Sequence, residues 1–196
     1  MVSARVKVGV MISGRGSNMA ALIEASRAPD YPAEIALVLS NKADAPGLAV
    51  AAAADVETLA LSAKAYADKD AFEAALDAAL KARGVEIVCL AGYMRILGRA
   101  FVEGWSGRLV NIHPSLLPLY KGLHTHARAL ADGAREHGCT VHLVTPELDD
   151  GPILAQARVP VLAGDDPDRL AARVLAEEHR LYPAALAELA RRLRAA

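Results

Sequence analysis

The sequence is poor in cysteine and in aromatic residues, and each shortage excludes a class of protein. Its 196 residues include two cysteines, two phenylalanines and one tryptophan. Cys89 and Cys139 are too few and too far apart for a disulfide framework or a thiolate zinc site, so we expect two buried free thiols. The hydrophobic fraction is 54% with few aromatic residues, which favours helices packed on a sheet over an all-β fold.

The sequence also lacks an excess of charge of either sign and any long apolar run. There are 22 basic and 23 acidic residues, for a net charge of −1. This balance gives no bulk attraction to nucleic acid or to a membrane surface. The apolar run Val6–Ile12 is far shorter than the roughly 20 residues of a membrane helix, and no secretory signal precedes it. We therefore expect a cytoplasmic protein that binds neither nucleic acid nor membranes.

Short β-branched runs alternate with helical patterns along the chain. The predicted strands are Val6–Ile12, Glu34–Ser40, Val56–Leu61, Val85–Ala91, Arg108–Ile112, Thr140–Thr145 and Ile153–Val161. The predicted helices are Met19–Arg27, Leu48–Ala54, Asp70–Arg83, His124–Glu136 and Pro167–Arg194, the last interrupted near Pro183. This alternation predicts a single α/β domain over residues 1–196, with one open, mostly parallel twisted sheet and helices on both faces. Ligands bind such sheets at the carboxyl ends of the strands.

A glycine loop, Ser13–Asn18, follows the first predicted strand. Glycine lets the backbone approach a ligand, and a helix start offers unpaired N–H groups, so together they form a phosphate site. The loop equally suits a tight strand–helix turn without a ligand. It does not end in Gly-Lys-Ser/Thr, and Met19 replaces the third glycine of a dinucleotide fingerprint. A nicotinamide dinucleotide is therefore disfavoured, and a monophosphate fits better.

Two polar side chains, Asn111 and His113, stand at the end of the fifth predicted strand. Residues two apart on a strand face the same way, so the amide and the imidazole can converge on one ligand atom. This pair suits a carbonyl oxygen that becomes an oxyanion, although a histidine at a strand end is often structural. No Gly-x-Ser-x-Gly motif or obvious cysteine nucleophile accompanies the pair, which disfavours a serine hydrolase.

An acidic turn, Glu147–Pro152, separates the last two predicted strands. Acids and glycine suit a turn for local reasons alone. A carboxylate that reached the Asn–His pair would instead complete an acid–base trio.

A metal pair at His124 and His126 is disfavoured, because side chains two apart at a helix start do not share a face and no third ligand is obvious. We therefore expect no metal.

Six blocks of sequence, in their order and spacing, resemble one known family. The blocks are Ile12–Asn18, Ser40–Ala45, Leu90–Leu97, Leu109–Pro118, Gly122–His126, and Val141–Val144 leading to Asp149. From Val6 to about Leu186 the chain is similar to the phosphoribosylglycinamide formyltransferases. The resemblance implies the formyltransferase fold, with a Rossmann-like N-terminal half. It also implies transfer of a formyl group from 10-formyltetrahydrofolate to the amine of glycinamide ribonucleotide, by a monomer or a homodimer in purine biosynthesis.

The resemblance further assigns roles to individual residues. The catalytic trio is Asn111, His113 and Asp149. The ribonucleotide contacts are Gly16, Ser17 and Asn18 for the phosphate and Glu178 for the ribose hydroxyls. The folate contacts are Met94, Arg95, Ile96, Leu97, Asn111 and Val144. Residues 1–105 would form the ribonucleotide phosphate-binding half, and residues 106–196 the catalytic and folate-binding half.

Two positions depart from the family pattern, and three related functions compete. Asp150 stands where a glycine or another small residue is usual, and Leu119 replaces a more usual polar residue. A formyltetrahydrofolate hydrolase ordinarily carries an added N-terminal domain, and a methionyl-tRNA formyltransferase a C-terminal domain and a basic surface. A binding module without activity would have no need of Asn111, His113 and Asp149. The transferase is the function we expect.

Overall fold

Seven strands of mostly β-branched and apolar residues lie side by side in one sheet. The computed structural model describes residues 5–195. The strands are β1 (Val6–Ile12), β2 (Ala33–Ser40), β3 (Thr58–Ala60), β4 (Ile87–Leu90), β5 (Leu109–His113), β6 (Glu136–Leu143) and β7 (Ile153–Pro160). Their order in the sheet is β3-β2-β1-β4-β5-β6-β7. The first five strands of this order pair in parallel, and β6 and β7 pair antiparallel. The predicted open, mostly parallel sheet is confirmed.

Helices cover both faces of the sheet, and each face has its own apolar core. The helices are α1 (Ser17–Ser26), α2 (Pro46–Ala53), α3 (Lys69–Ala82), α4 (Arg99–Gly104), α5 (Thr125–Ala131) and α6 (Pro167–Ala195), with a 3-10 turn at Ala63–Ala65. One core joins α1, α2 and α6 to strand residues such as Val10 and Ile12. The other core joins α3 and α4 to Met11, which lies between Val10 and Ile12 on β1. Alternate residues of a strand thus pack on opposite layers, as in a doubly wound sheet.

The structure departs from the predicted elements near residue 136. The helix expected to reach Glu136 ends at Ala131, and Gly133 follows at a positive φ of 65°. β6 then begins at Glu136, four residues before the expected start at Thr140. Alanine, leucine and arginine favour a helix locally, but pairing of Glu136 to His142 with β7 adds a full ladder of hydrogen bonds.

The long helix α6 continues through Pro183, so the predicted interruption there is wrong. The Pro183 carbonyl accepts the Tyr31 hydroxyl at 2.7 Å. The buried Tyr182 hydroxyl lies 3.0 Å from the Leu90 carbonyl and 3.1 Å from the Val110 carbonyl. These contacts hold the helix at the proline and at the residue before it, and they compensate for the loss of one helical hydrogen bond. Among residues 5–195, no helix is long and apolar enough to cross a membrane.

Candidate active site

A cleft opens at the carboxyl ends of β1 and β4, where the strand order reverses. Its volume is about 230 Å³, and it is lined by Ser13, Gly14, Arg15, Gly16, Ser17, Asn18, Ala91, Gly92 and Met94. In doubly wound sheets the loops diverge at this switch point and leave room for a ligand. The structure therefore brings the predicted phosphate loop and the first predicted folate residue, Met94, to the same cleft.

The glycine loop leaves the first amides of α1 open to a ligand. Gly16 precedes the helix at φ 72° and ψ 33°, a left-handed conformation that favours glycine. A Cβ atom on Gly16 would lie 3.2 Å from the Cα atom of Gly47, so the close packing of these loops also needs a glycine. No side chain within residues 5–195 caps this helix start. The N–H groups and the helix dipole are thus directed at the cleft, as an anion site requires.

Asn18 and Glu178, two predicted ribonucleotide contacts, touch each other although they are 160 positions apart. The Asn18 amide Nδ2 donates to Glu178 Oε2 at 2.7 Å, and both side chains are buried. Burial raises the pKa of Glu178, while the hydrogen bond from Asn18 acts in the opposite direction. The pair joins the glycine loop to α6 and places a carboxylate beside the proposed phosphate site.

His113 ends β5 with both ring nitrogens facing oxygen acceptors. Its Nε2 atom lies 3.0 Å from the Tyr120 carbonyl oxygen, and its Nδ1 atom lies 3.4 Å from Asp149 Oδ2. A carbonyl oxygen can only accept a hydrogen bond, and the Asp149 carboxylate lies close enough to stabilise a positive charge on the ring. This environment suits a histidine that stabilises a developing negative charge.

The position of the Asp149 side chain is fixed by an unusual backbone conformation and by a hydrogen bond from a backbone N–H group. It adopts a positive φ of 49°, which is uncommon for a residue other than glycine. Its Oδ2 atom accepts the Gly122 N–H at 2.9 Å, and its side chain is 8% exposed. The neighbouring Asp150 side chain is 55% exposed and forms an ion pair with Lys121. Of the two adjacent acids, the structure therefore brings Asp149 to His113.

His142 on β6 holds the amide of Asn111 from the neighbouring strand. The two residues pair across the sheet, and His142 Nε2 lies 3.3 Å from Asn111 Nδ2. The His142 Nδ1 atom lies 3.0 Å from the Leu143 carbonyl, so Nδ1 carries the proton and Nε2 accepts. Burial lowers the pKa of His142, which favours this neutral form. One N–H of the Asn111 amide is thereby occupied, and the second is left for a ligand.

The predicted folate residues form an open segment after β4. The Met94 and Ile96 side chains are exposed, Ile96 by 75%. The Arg95 guanidinium stands 5.3 Å from the centre of the Phe72 ring. Leu97 and Val144 are partly buried against the α3–α4 core. Exposed apolar side chains beside a cleft are suited to a flat aromatic ligand.

The two histidines of the His-x-His motif point to different surroundings. His124 is exposed at the start of α5, at a φ of 57°. The His126 ring packs edge-on against His137, with centroids 5.1 Å apart. Within the described part of the chain, no group of three or more His, Cys, Asp or Glu side chains is arranged to hold a metal ion.

Comparison with known proteins agrees with this arrangement. Residues 6–186 match the formyl transferase family. The chain belongs to this family.

Its relatives lie in the phosphoribosylglycinamide formyltransferase branch. The Escherichia coli phosphoribosylglycinamide formyltransferase is 48% identical over 91% of this chain and 84% of its own length. The trifunctional purine biosynthetic protein adenosine-3 of Drosophila melanogaster is 49% identical over 94% of this chain, which spans 14% of that longer protein. The crystal structure of phosphoribosylglycinamide formyltransferase from Brucella melitensis superposes with a TM-score of 0.93 at 57% identity. That match covers 95% of this chain and 96% of the other.

Two residues of this candidate site were missed by sequence reasoning. They are His142, which holds Asn111, and Tyr120, whose carbonyl faces His113. A polar residue within the apolar run of β6 was a visible signal for His142. Tyr120 gave no comparable signal, because a backbone carbonyl acts here and any residue type supplies one.

Proposed function

We propose that this protein transfers the formyl group of 10-formyltetrahydrofolate to the amine of glycinamide ribonucleotide, as a step in purine biosynthesis. The products are formylglycinamide ribonucleotide and tetrahydrofolate. One observation carries the proposal: His113 lies 3.4 Å from Asp149, and His142 lies 3.3 Å from Asn111 and 3.8 Å from Asp149, at the carboxyl edge of the sheet that also carries the glycine-loop cleft. Membership of the formyl transferase family and 48% identity to the Escherichia coli enzyme support it.

In the proposed reaction the substrate amine attacks the formyl carbon directly. The carbonyl π bond opens, and the negative charge that forms on the formyl oxygen is stabilised by the free N–H of Asn111 and by protonated His113. Collapse of this tetrahedral intermediate breaks the bond between the formyl carbon and N10 of the folate. The proton lost by the amine passes to N10, with Asp149 assisting the transfer through water.

Asp149 and Tyr120 define what His113 must do in this reaction. The Asp149 carboxylate, 3.4 Å from Nδ1, stabilises the imidazolium. The Nε2 atom faces the Tyr120 carbonyl at 3.0 Å. To contact the formyl oxygen, His113 exchanges one of these protein partners for the substrate. Asn111 needs no exchange, since His142 engages one of its two amide protons.

The ribonucleotide and the folate occupy opposite sides of the trio in this proposal. The phosphate binds the amides of Gly16, Ser17 and Asn18, and the Glu178 carboxylate accepts a ribose hydroxyl. The pterin lies against backbone groups of Met94, Arg95, Ile96 and Leu97, with Val144 and Asn111 on its other side. We also propose that the protein acts in the cytoplasm as a monomer or homodimer, without a metal, and that residues 1–105 and 106–196 form the two halves of one domain.

A spectrophotometric assay with 10-formyl-5,8-dideazafolate tests the proposal. The purified protein is incubated with this donor, with and without glycinamide ribonucleotide. Deformylation that requires the ribonucleotide supports the transferase and its acceptor together. Deformylation without it would show a hydrolase instead. A folded protein that is inactive in both reactions would refute the proposed function.

A further inference from the structure

The folate-binding segment after β4 is fixed at both ends by side chains from other parts of the fold. We define residues 94–97 as the donor segment. At its start the Met94 N–H donates to Ser13 Oγ at 2.8 Å. Just past its end the Gly98 N–H lies 2.8 and 3.1 Å from the two carboxylate oxygens of Glu73. Between these contacts the Met94 and Ile96 side chains are exposed. The ends of the segment are thus restrained, while two of its side chains remain exposed.

Ser13 connects the donor segment to the glycine loop. It is buried at the end of β1, directly before Gly14. Its hydroxyl donates to Asn41 Oδ1 at 2.5 Å, so an oxygen lone pair is left to accept the Met94 N–H. Its own N–H donates to the Gly92 carbonyl at 3.2 Å. One short side chain therefore sets the distance between the proposed ribonucleotide and folate subsites.

Glu73 is a buried carboxylate on α3 that serves the other end. Burial of a carboxylate is unfavourable unless it is compensated, and here the Gly98 amide and the Lys69 ammonium, 3.7 Å away, compensate it. Gly98 is also the residue that precedes α4. A Cβ atom at this position would lie 2.6 Å from Glu73 Oε2, so the contact depends on a glycine. The close packing of Gly98 against the Glu73 carboxylate indicates that this contact fixes the end of the donor segment.

We propose that Ser13 and Glu73 are positioning residues for the formyl donor, which fix the two ends of the donor segment and thereby shape the pterin site. Neither side chain needs to touch the donor. The inference rests on the proposed function, since it concerns the folate subsite of that reaction.

The test is calorimetric titration of 10-formyl-5,8-dideazafolate into the full-length protein, together with steady-state kinetics. In Ser13→Ala and Glu73→Ala we expect the Kd and KM for this donor to rise about fivefold or more, as loss of a partly buried hydrogen bond predicts. Because Glu73 does not line the glycine-loop cleft, Glu73→Ala leaves the KM for glycinamide ribonucleotide and the kcat within about twofold of wild type. Ser13→Ala raises both KM values.

Two further variants separate positioning from a general loss of structure. Glu73→Gln keeps one oxygen acceptor for the Gly98 amide while it removes the charge, and it restores most of the donor affinity. Gly98→Ala displaces the carboxylate from the other side and reproduces the effect of Glu73→Ala. Thermal unfolding of each variant confirms that it is folded.

Ser26→Ala and Glu86→Ala are matched controls. The Ser26 hydroxyl is also buried and donates to the Ile23 carbonyl at 2.7 Å. The Glu86 carboxylate also accepts a backbone amide, that of Lys7 at 3.1 Å, at the opposite edge of the sheet. Both controls keep the wild-type donor Kd. Unchanged donor affinity in Ser13→Ala and Glu73→Ala, or equal weakening in the controls, would overturn the inference. A wild-type protein that binds the donor but transfers nothing contradicts the proposed function alone, and the affinity comparison still decides this inference.

Discussion

Replacement of Asp149 by asparagine tests the charge that the proposed mechanism places beside His113. Two opposite unit charges 3.4 Å apart, as are His113 Nδ1 and Asp149 Oδ2, interact by about 5 kcal/mol at an effective dielectric constant of 20. At 1.36 kcal/mol for each tenfold in rate, complete loss of this term would slow the reaction by about 4,000-fold. The asparagine oxygen still accepts the Gly122 N–H and keeps part of the dipole. We therefore predict a decrease in kcat of about 100- to 1,000-fold.

Asp150 provides the matched control because it is the same residue type one position along. Its side chain is 55% exposed and pairs with Lys121. A surface ion pair of this kind contributes about 0–1 kcal/mol, so Asp150→Asn should change kcat by less than about fivefold. Both variants are measured by ribonucleotide-dependent deformylation at pH 7.5, with circular dichroism as a check on folding. Equal losses in the two variants, or a larger loss in Asp150→Asn, would show that the charge on Asp149 is not what stabilises the transition state.

Three further predictions address the amide donor, the buried histidine and the acidic turn. Asn111→Ala removes a proposed oxyanion donor and should lower kcat about 100-fold or more, and a variant with near-normal turnover would contradict that role. Burial lowers the pKa of His137 to about 4, so the unfolded chain binds its proton first as the pH falls. Between pH 6.5 and 5, His137→Leu should therefore reduce the loss of unfolding free energy measured with urea by about 1.6 kcal/mol, and an identical slope in that variant would refute the assignment. A Cβ atom on Gly151 would lie 1.8 Å from the Leu143 carbonyl oxygen. Gly151→Ala should therefore lower the unfolding free energy by at least about 2 kcal/mol. An unchanged Tm would contradict this close approach.

The sheet and the Asn–His pair could be predicted from sequence because both depend on short-range patterns. A strand buried on both faces is a continuous β-branched run, and Val6–Ile12 was predicted with the bounds that the structure shows. Asn111 and His113 are two positions apart on one strand, so a common direction follows from the pleat alone. The nearness of Asp149 to His113 was a hypothesis on sequence grounds, and the structure places the two side chains in contact.

Contacts between distant segments could not be predicted in the same way. His142 meets Asn111 only because β6 pairs antiparallel with β5 in one register, and no local pattern specifies that register. The bond between Asn18 and Glu178 likewise depends on how α6 crosses the sheet. Local preference was even misleading around Glu136, where a helix-forming composition gives way to a strand paired with β7.

The pairing of Asn111 with His142 makes the proposed activity a reporter of correct folding. Adjacent residues on a strand point to opposite faces, so a slip of β6 by a single residue would turn His142 into the opposite core and leave the Asn111 amide without its partner. A chain that folded with this error could keep its helices and much of its apolar burial. Spectroscopy of secondary structure would hardly distinguish it from the native protein, whereas specific activity would. In a refolded preparation, the ratio of turnover to helical signal therefore measures the fraction of molecules with native strand register.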